Sequence, residues 1–402
     1  MASTQRIGRK ALVAAFLLPA LAAPSVAGAQ SPEPIKIGFS AELSGPYSFF
    51  GTACMQGMRF AEKRINAAGG ALHRPLQFVV TDNQTNPAQA AGSARSLDVQ
   101  EHVLAVSGPT SSDNALAIYG YAEQNKLPFV VPVAAFPQLT KPGTRYTFRV
   151  EPDAAGWGYA IAKFLAERKP GAKLAIMYSD FALMHAIIAG LKYQAPRSNI
   201  EVVADIAFPQ NSNDATVQAA QVVAAHPDFV LVMGVGAFDI TLTNQLLDLG
   251  LRPDQLIHHV GQTTTILAYG KRSIGSIYGS FFDANLDNVT PEGRQFVEEF
   301  TDEVGRIPSY TENFCYITPY IIKAAIEKAG VVDREKFRDA MSSLKMTEPT
   351  DGVPIEFDNN GARKEYMYFM QIESLADKSY TAKKLYYTEW DPEAIPVYDL
   401  VK

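Results

Sequence analysis

A strand, a short loop and an amphipathic helix recur along this chain; the recurrence breaks once, after residue 150, and then restarts. Chains patterned in this way build parallel sheets with helices covering both faces. The opening unit, residues 35–70, sets the pattern. Ile35, Ile37 and Phe39 alternate with Lys36, Gly38 and Ser40, as strand residues do. Ser44-Gly45-Pro46 then supplies turn chemistry. Past Gly51, the residues Met55, Met58, Ala61 and Ile65 recur at helical spacing, and Gly69-Gly70 stops the helix. A loop at the carboxyl end of a strand, feeding a helix, is where open α/β sheets bind ligands. Phe49 and Phe50 sit in that loop.

The same rhythm predicts strands over residues 75–81, 103–107 and 127–133, with helices from Pro87 and over 115–124. Residues 146–150 are extended, and Glu151-Pro152-Asp153 breaks them, which reads as a crossing into a second domain. There the pattern restarts, with strands over 173–178, 200–206, 229–234 and 256–260 and helices over 183–193, 216–225 and 238–249. An extended piece near 279–282 leads to helices over 291–304, 318–329 and from Arg334. A short strand over 353–357 follows, and 366–372 is expected to pair with what precedes it as a hairpin. The fold class is therefore α/β, with two similar Rossmann-like lobes built on central parallel sheets.

Totals bound the function. A chain of 402 residues is too long for one ordinary core and suits two domains. A net charge of −6, with no basic cluster after the first ten residues, argues against nucleic acid or an anionic membrane surface as partner. Residues 1–29 read as a secretion signal: Arg6, Arg9 and Lys10 precede an apolar run over 11–23, and Ala27-Gly28-Ala29 fits a cleavage site. That run is too short to span a bilayer. No Cys follows the cleavage site to carry a lipid, so the mature chain is expected to be exported with no membrane insertion. Cys54 and Cys315 would pair in an oxidising compartment or else stand as two buried thiols. His258-His259 in a strand would point to opposite faces, and no metal or other cofactor is expected. The sequence carries no G-x-S-x-G elbow, P-loop or H-E-x-x-H, so no enzyme is read from it. Glu298-Glu299 with Asp302-Glu303 reads as a solvated helix face.

The strand, the SGP loop, the GT pair, the amphipathic helix and INAAGG resemble the start of periplasmic solute-binding proteins of the leucine/isoleucine/valine type. The resemblance extends over nearly all of the chain after residue 30. It implies three crossings between the lobes, which fall near Val150, Phe282 and Phe357. The first lobe would then hold residues 30–150 and 282–356, and the second 151–281 and 357–402. The ligand cleft would lie between them. It further implies a periplasmic protein that hands a small molecule to the membrane permease of an ABC transporter; a sensor read by a receptor is the alternative.

Ser111 and Ser112 follow a Gly-Pro turn and open a helix, where free N–H groups and hydroxyls suit a carboxylate. Read from the residues alone they are helix caps; the resemblance makes one of them the carboxylate contact. It also places Val133, Ala134 and Ala135 at the ligand, with Ala135 where relatives carry Thr, and Gln262 where they carry an acid for an ammonium. A neutral Gln262 gives no charge-assisted bond. That favours a carboxylate with an apolar or aromatic body and no ammonium, ahead of a branched-chain amino acid. Phe50 matches an aromatic position of the family, with one of Phe49 and Phe50 expected in the cleft and the other buried. Phe181 and Phe238 stand where relatives carry Tyr, and with Met184 and Phe136 would make the second wall apolar.

Overall fold

The computed structural model describes residues 1, 2, 4, 8, 32–209, 212–391 and 395–401. The chain separates into two compact units, Met1–Pro32 and Glu33–Lys402, and every element below belongs to the second. The secretion signal expected over 1–29 lies almost wholly outside the described residues.

The first sheet is built as the alternation demands. It takes β1 (Ile35–Ala41), β2 (Leu76–Asp82), β3 (Ala105–Ser107), β4 (Phe129–Val131) and β5 (Thr147–Arg149), all parallel, in the order β2-β1-β3-β4-β5. Its connecting helices are α1 (Ser48–Ala67), α2 (Pro87–Val99) and α3 (Ser112–Asn125). Residues 146–150 are thus more than a crossing piece. They close the sheet as its edge strand, because Phe129 to Val131 pair with Thr147 to Arg149.

The second layer set follows: α4 (Ala154–Arg168), β6 (Lys173–Asp180), α5 (Ala182–Gln194), β7 (Glu201–Pro209), α6 (Thr216–Ala224), β8 (Phe229–Met233), α7 (Ala237–Asp248), β9 (Leu256–His258), α8 (Thr263–Tyr269) and β10 (Ile277–Ser280). Then come α9 (Pro291–Val304), α10 (Tyr310–Ala329), α11 (Arg334–Ser342), β11 (Lys345–Thr347), β12 (Pro354–Glu356), β13 (Glu365–Leu375), β14 (Tyr380–Trp390) and α12 (Val397–Leu400). The second sheet has the order β14-β13-β10-β9-β8-β6-β7, parallel from β7 to β10 and antiparallel at β13 and β14. The expected hairpin of 366–372 with the preceding strand does not form. β12 pairs instead with β11, and β13 runs between β10 and β14. The cause is β13's apolar run, buried from Glu365 to Met370, which needs neighbours on both edges.

α1 and α10 lie against each other. Cys54 and Cys315 form a disulfide with Cα atoms 5.1 Å apart. One turn further along each helix, a Cβ on Gly57 would stand 2.1 Å from the carbonyl oxygen of Glu312. Pairs 54–315 and 57–312 run in opposite senses, so the helices cross antiparallel, close enough that only glycine fits. Phe60 extends the contact onto Phe296 and Phe300 of α9, with ring centroids 6.3 and 5.5 Å away. Residues 291–342 therefore return to cover the sheet that residues 35–149 began.

Candidate ligand cleft

The cleft loop after β1 is held by the end of the neighbouring strand β2. Asp82, closing β2, accepts from Leu43 N at 3.0 Å and Ser44 N at 3.3 Å through Oδ1, and from the Ser44 hydroxyl at 2.7 Å through Oδ2. This sets the entry of α1, whose first turn crosses Glu42 so closely that a Cβ on Gly51 would lie 2.0 Å from the Glu42 carbonyl oxygen. Tyr47, Phe49 and Phe50 are presented there.

Loops of both sheets converge on one cleft, about 650 Å³ with its open mouth included, a size suited to small ligands. The first lobe contributes Tyr47, Phe49, Phe50, Thr110 and Val133, and the second Phe181, Leu183, Met184, Val235, Asp239, His259, Val260, Gln262 and Thr265. Glu151, just after β5, Trp157 of α4 and Tyr310 at the start of α10 complete the lining. A narrower recess adjoins it, sharing Tyr47, Thr110, Val133, Phe181 and Leu183 and adding Ser111, Ser112, Asp113 and Ala135.

Of the residues read from sequence, Phe50, Val133, Phe181 and Gln262 line the cleft, and Ser111, Ser112 and Ala135 line the recess. Two do not reach it. Phe238 packs edge-on against Phe208, centroids 5.0 Å apart, because the first turn of α7 faces the core under β7. Ala134 points into the cluster beneath α2 and α3. Phe136 likewise packs into the core. The expectation of one buried ring in the Phe49/Phe50 pair is also corrected: both line the cleft, meeting edge-on at 5.1 Å, and Phe49 is exposed.

The polar groups show which contacts are already used. The carboxylate of buried Glu42 accepts from Thr110 N at 3.0 Å, Thr110 Oγ1 at 2.9 Å, Ser111 N at 3.1 Å and Asn114 Nδ2 at 2.9 Å. The chain's own acid thus occupies part of the anion site at the start of α3. What is left for a ligand is the hydroxyls of Ser111 and Ser112, with the amides of the first turn beyond them. The Ala135 carbonyl accepts from Ala154 N at 2.8 Å. Gln262 gives Nε2 to Thr311 Oγ1 and takes the Ser309 hydroxyl on Oε1, both at 2.6 Å, so it ties β9's loop to the start of α10.

Two buried groups in the cleft wall lack partners: both carboxyl oxygens of Glu151 and Nδ1 of His259. Burial drives the Glu151 carboxyl well above the usual carboxylate range, against the pull of the Arg149 guanidinium. Sequence reading took Glu151 only as a strand breaker; an acid directly after a buried edge strand was the available signal. Asp239 is held low despite burial by His258 and Tyr269. Among the described residues no three His, Cys, Asp or Glu side chains gather as metal ligands.

Burial, opposed by Asp239, pushes the His259 ring from 6.5 down to about 4. Between those values the unfolded chain takes up a proton that the folded one refuses. His259's contribution is thus whole above about pH 6.5 and drains as pH falls toward 4. His259→Phe removes this slope. Relative to wild type it gains about 2 kcal/mol between about pH 7.5 and about pH 5. Urea unfolding at both pH values measures it, and an unchanged gap would mean that the ring titrates normally in the folded state.

The comparisons with known proteins agree with this geometry. The sequence pattern described as periplasmic binding protein matches residues 34–379. The leucine-, isoleucine-, valine-, threonine- and alanine-binding protein of Pseudomonas aeruginosa is 24% identical over 367 residues, covering 90% of this chain and 94% of its own. An ABC transporter substrate-binding protein from Sphaerobacter thermophilus superposes with a TM-score of 0.80 at 24% identity, over 89% of this chain and 98% of that one. A solute-binding protein of Rhodopseudomonas palustris BisB5, solved with 3,4-dihydroxybenzoic acid, gives 0.79 at 20% identity, over 90% and 99%. With the match spanning nearly everything after residue 33, and loops of two sheets meeting at one cleft, the chain belongs to the periplasmic binding protein family.

Proposed function

We propose that this protein is the periplasmic substrate-binding component of an ABC transporter, and that it captures a small carboxylate with an apolar or aromatic body by closing its two lobes. One observation carries the reading: loops from both sheets line a single cleft whose walls are mostly apolar and whose recess ends in the Ser111 and Ser112 hydroxyls. The lobes divide near Val150, Phe282 and Phe357, as residues 30–150 plus 282–356 and 151–281 plus 357–402, and these crossings are the hinge. Phe50 and Phe181 cover the ligand body from opposite lobes. The Rhodopseudomonas relative was solved with an aromatic acid, which supports this ligand class. A branched-chain amino acid is the second reading, favoured by the name of the Pseudomonas relative and by the unpartnered Glu151 carboxyl.

A thermal-shift screen of the ligand-stripped chain tests it, setting leucine, isoleucine and valine against benzoate-type and phenylpropenoid acids. A ligand at about a hundred times its Kd stabilises by about 2.7 kcal/mol, enough to raise the midpoint by several degrees. A shift with any of these acids supports the reading, and its chemistry chooses between the two. No shift across the panel would remove small carboxylates as the ligand class.

A further inference from the structure

We propose that Glu151 is the specificity-determining group of the cleft, accepting a hydrogen-bond donor, ammonium or hydroxyl, carried on the ligand's apolar body. The inference rests on the small-carboxylate reading above and adds a second polar end to that ligand.

Glu151 follows β5 directly and is fully buried, yet neither carboxyl oxygen has a partner. A buried polar group without a hydrogen bond is costly and calls for one. The nearest cation does not meet the need. Arg149 turns Nη1 to the backbone carbonyl of Glu151 and Nη2 to Thr140 and Glu365, at 3.3 and 3.1 Å, leaving the Glu151 side chain aside. Glu151 belongs to the cleft wall beside Trp157, Tyr310 and His259, and the His259 ring, stacked on Trp157 at 6.4 Å, also keeps Nδ1 unpartnered. Among the described residues no Lys or Arg lines the cleft. This end of the site is therefore rich in acceptors and poor in donors, so the ligand must bring the donor.

The position also answers the objection raised at the sequence level. Neutral Gln262 removes one carboxylate from the second lobe, and its amide is engaged with Ser309 and Thr311. Glu151 offers a carboxyl group from the first crossing instead, one that burial keeps protonated until a ligand ammonium ionises it. Ser111 and Ser112 line the recess adjoining the cleft. A ligand would thus be read at both ends, carboxylate toward the recess and donor toward Glu151, with the aromatic rings around its body.

Calorimetric titration of the ligand-stripped chain decides it, using 3-phenylpropionate, phenylalanine, 3-(4-hydroxyphenyl)propionate and phenethylamine, on wild type, Glu151→Gln and Glu151→Leu. One donor-bearing acid should bind at least about tenfold more tightly than 3-phenylpropionate. Glu151→Leu should erase that preference, read as the ratio of the donor-bearing acid's affinity to that of 3-phenylpropionate within the same variant. Glu151→Gln separates the two donors: a hydroxyl preference persists in part, and an ammonium preference disappears with the charge. If the plain acid binds wild type as tightly as its donor-bearing partners, or Glu151→Leu keeps the preference, the role of Glu151 falls and the carboxylate reading stands. Binding of phenethylamine but of no acid would drop the carboxylate reading and keep Glu151. Binding of none of the four would drop both.

Discussion

Replacing Cys54 and Cys315 together by serine should lower stability by about 4–5 kcal/mol. The bond joins residues 261 apart in sequence, and a loop of that length loses much chain entropy once closed in the unfolded state. The urea midpoint should fall and the slope should rise as the unfolded chain expands. Wild type in excess thiol reductant should reproduce the variant. A midpoint unchanged by both treatments would mean that α1 and α10 hold each other without the bond. Their packing is otherwise complete, with Gly57 set against the Glu312 carbonyl and Phe60 on two rings of α9.

Arg149→Met is expected to cost about 3–5 kcal/mol, because it strands carboxylates in the interior. Arg149 ends β5, the edge of the first sheet, and Glu365 begins β13, inside the second, so their 3.1 Å ion pair connects the two sheets. Both side chains are almost fully buried, and Asp153, the cap of α4, lies 3.9 Å from the same nitrogen. Glu365 also accepts from Asp153 N at 3.0 Å and from Trp390 Nε1 at 2.5 Å. Without the guanidinium, these two neutral donors are left to hold a charge. Burial, with Asp153, already holds the Glu365 carboxyl well above the usual carboxylate range against the pull of Arg149, so the deficit should shrink as pH falls and do so from above that range, a proton replacing the lost cation. Adding Glu365→Gln to Arg149→Met should recover part of it, as expected when two changes share one interaction. A loss under about 1 kcal/mol, with no pH dependence, would show that water reaches the pair and screens it.

What the chain reveals before folding depends on how local each signal is. The alternation over residues 35–133 is legible because strand and helix place apolar residues at different periods. The helix over 291–304 appears with the bounds expected, having Thr290 and Pro291 at its start and Gly305 at its end. α10 begins at Tyr310, eight residues before the expected start. Pro319 resembles a helix opening, whereas the true start is Ser309 with Glu312, a reciprocal cap three residues apart. The place of β13 in the second sheet is hidden because its pairing with β10 joins residues some distance apart in sequence, whereas β14 follows it as a local hairpin. In the cleft, Phe181 reaches the ligand space and Phe238 does not, although both precede or open helices in the second lobe. The difference lies in which face each first turn presents to the sheet, which no local pattern encodes. Glu151 is harder still to see, since an acid beside a proline reads as a solvated bend until the return of residues 310–314 and 365 covers it.

The return of residues 291–342 onto the first sheet also orders events in time. All five strands of that sheet exist once the first 149 residues have been made, but the face of α1 turned away from them stays open until α9 and α10 follow. Gly57 and Phe60 therefore lack their partners through more than half of synthesis, and Cys54 waits as long for Cys315. Collapse of the first lobe is coupled to completion of the second, because the contacts that finish it span most of the chain. A nascent chain halted between the two stages would present a sticky, half-dressed sheet, the kind of surface that holding chaperones recognise.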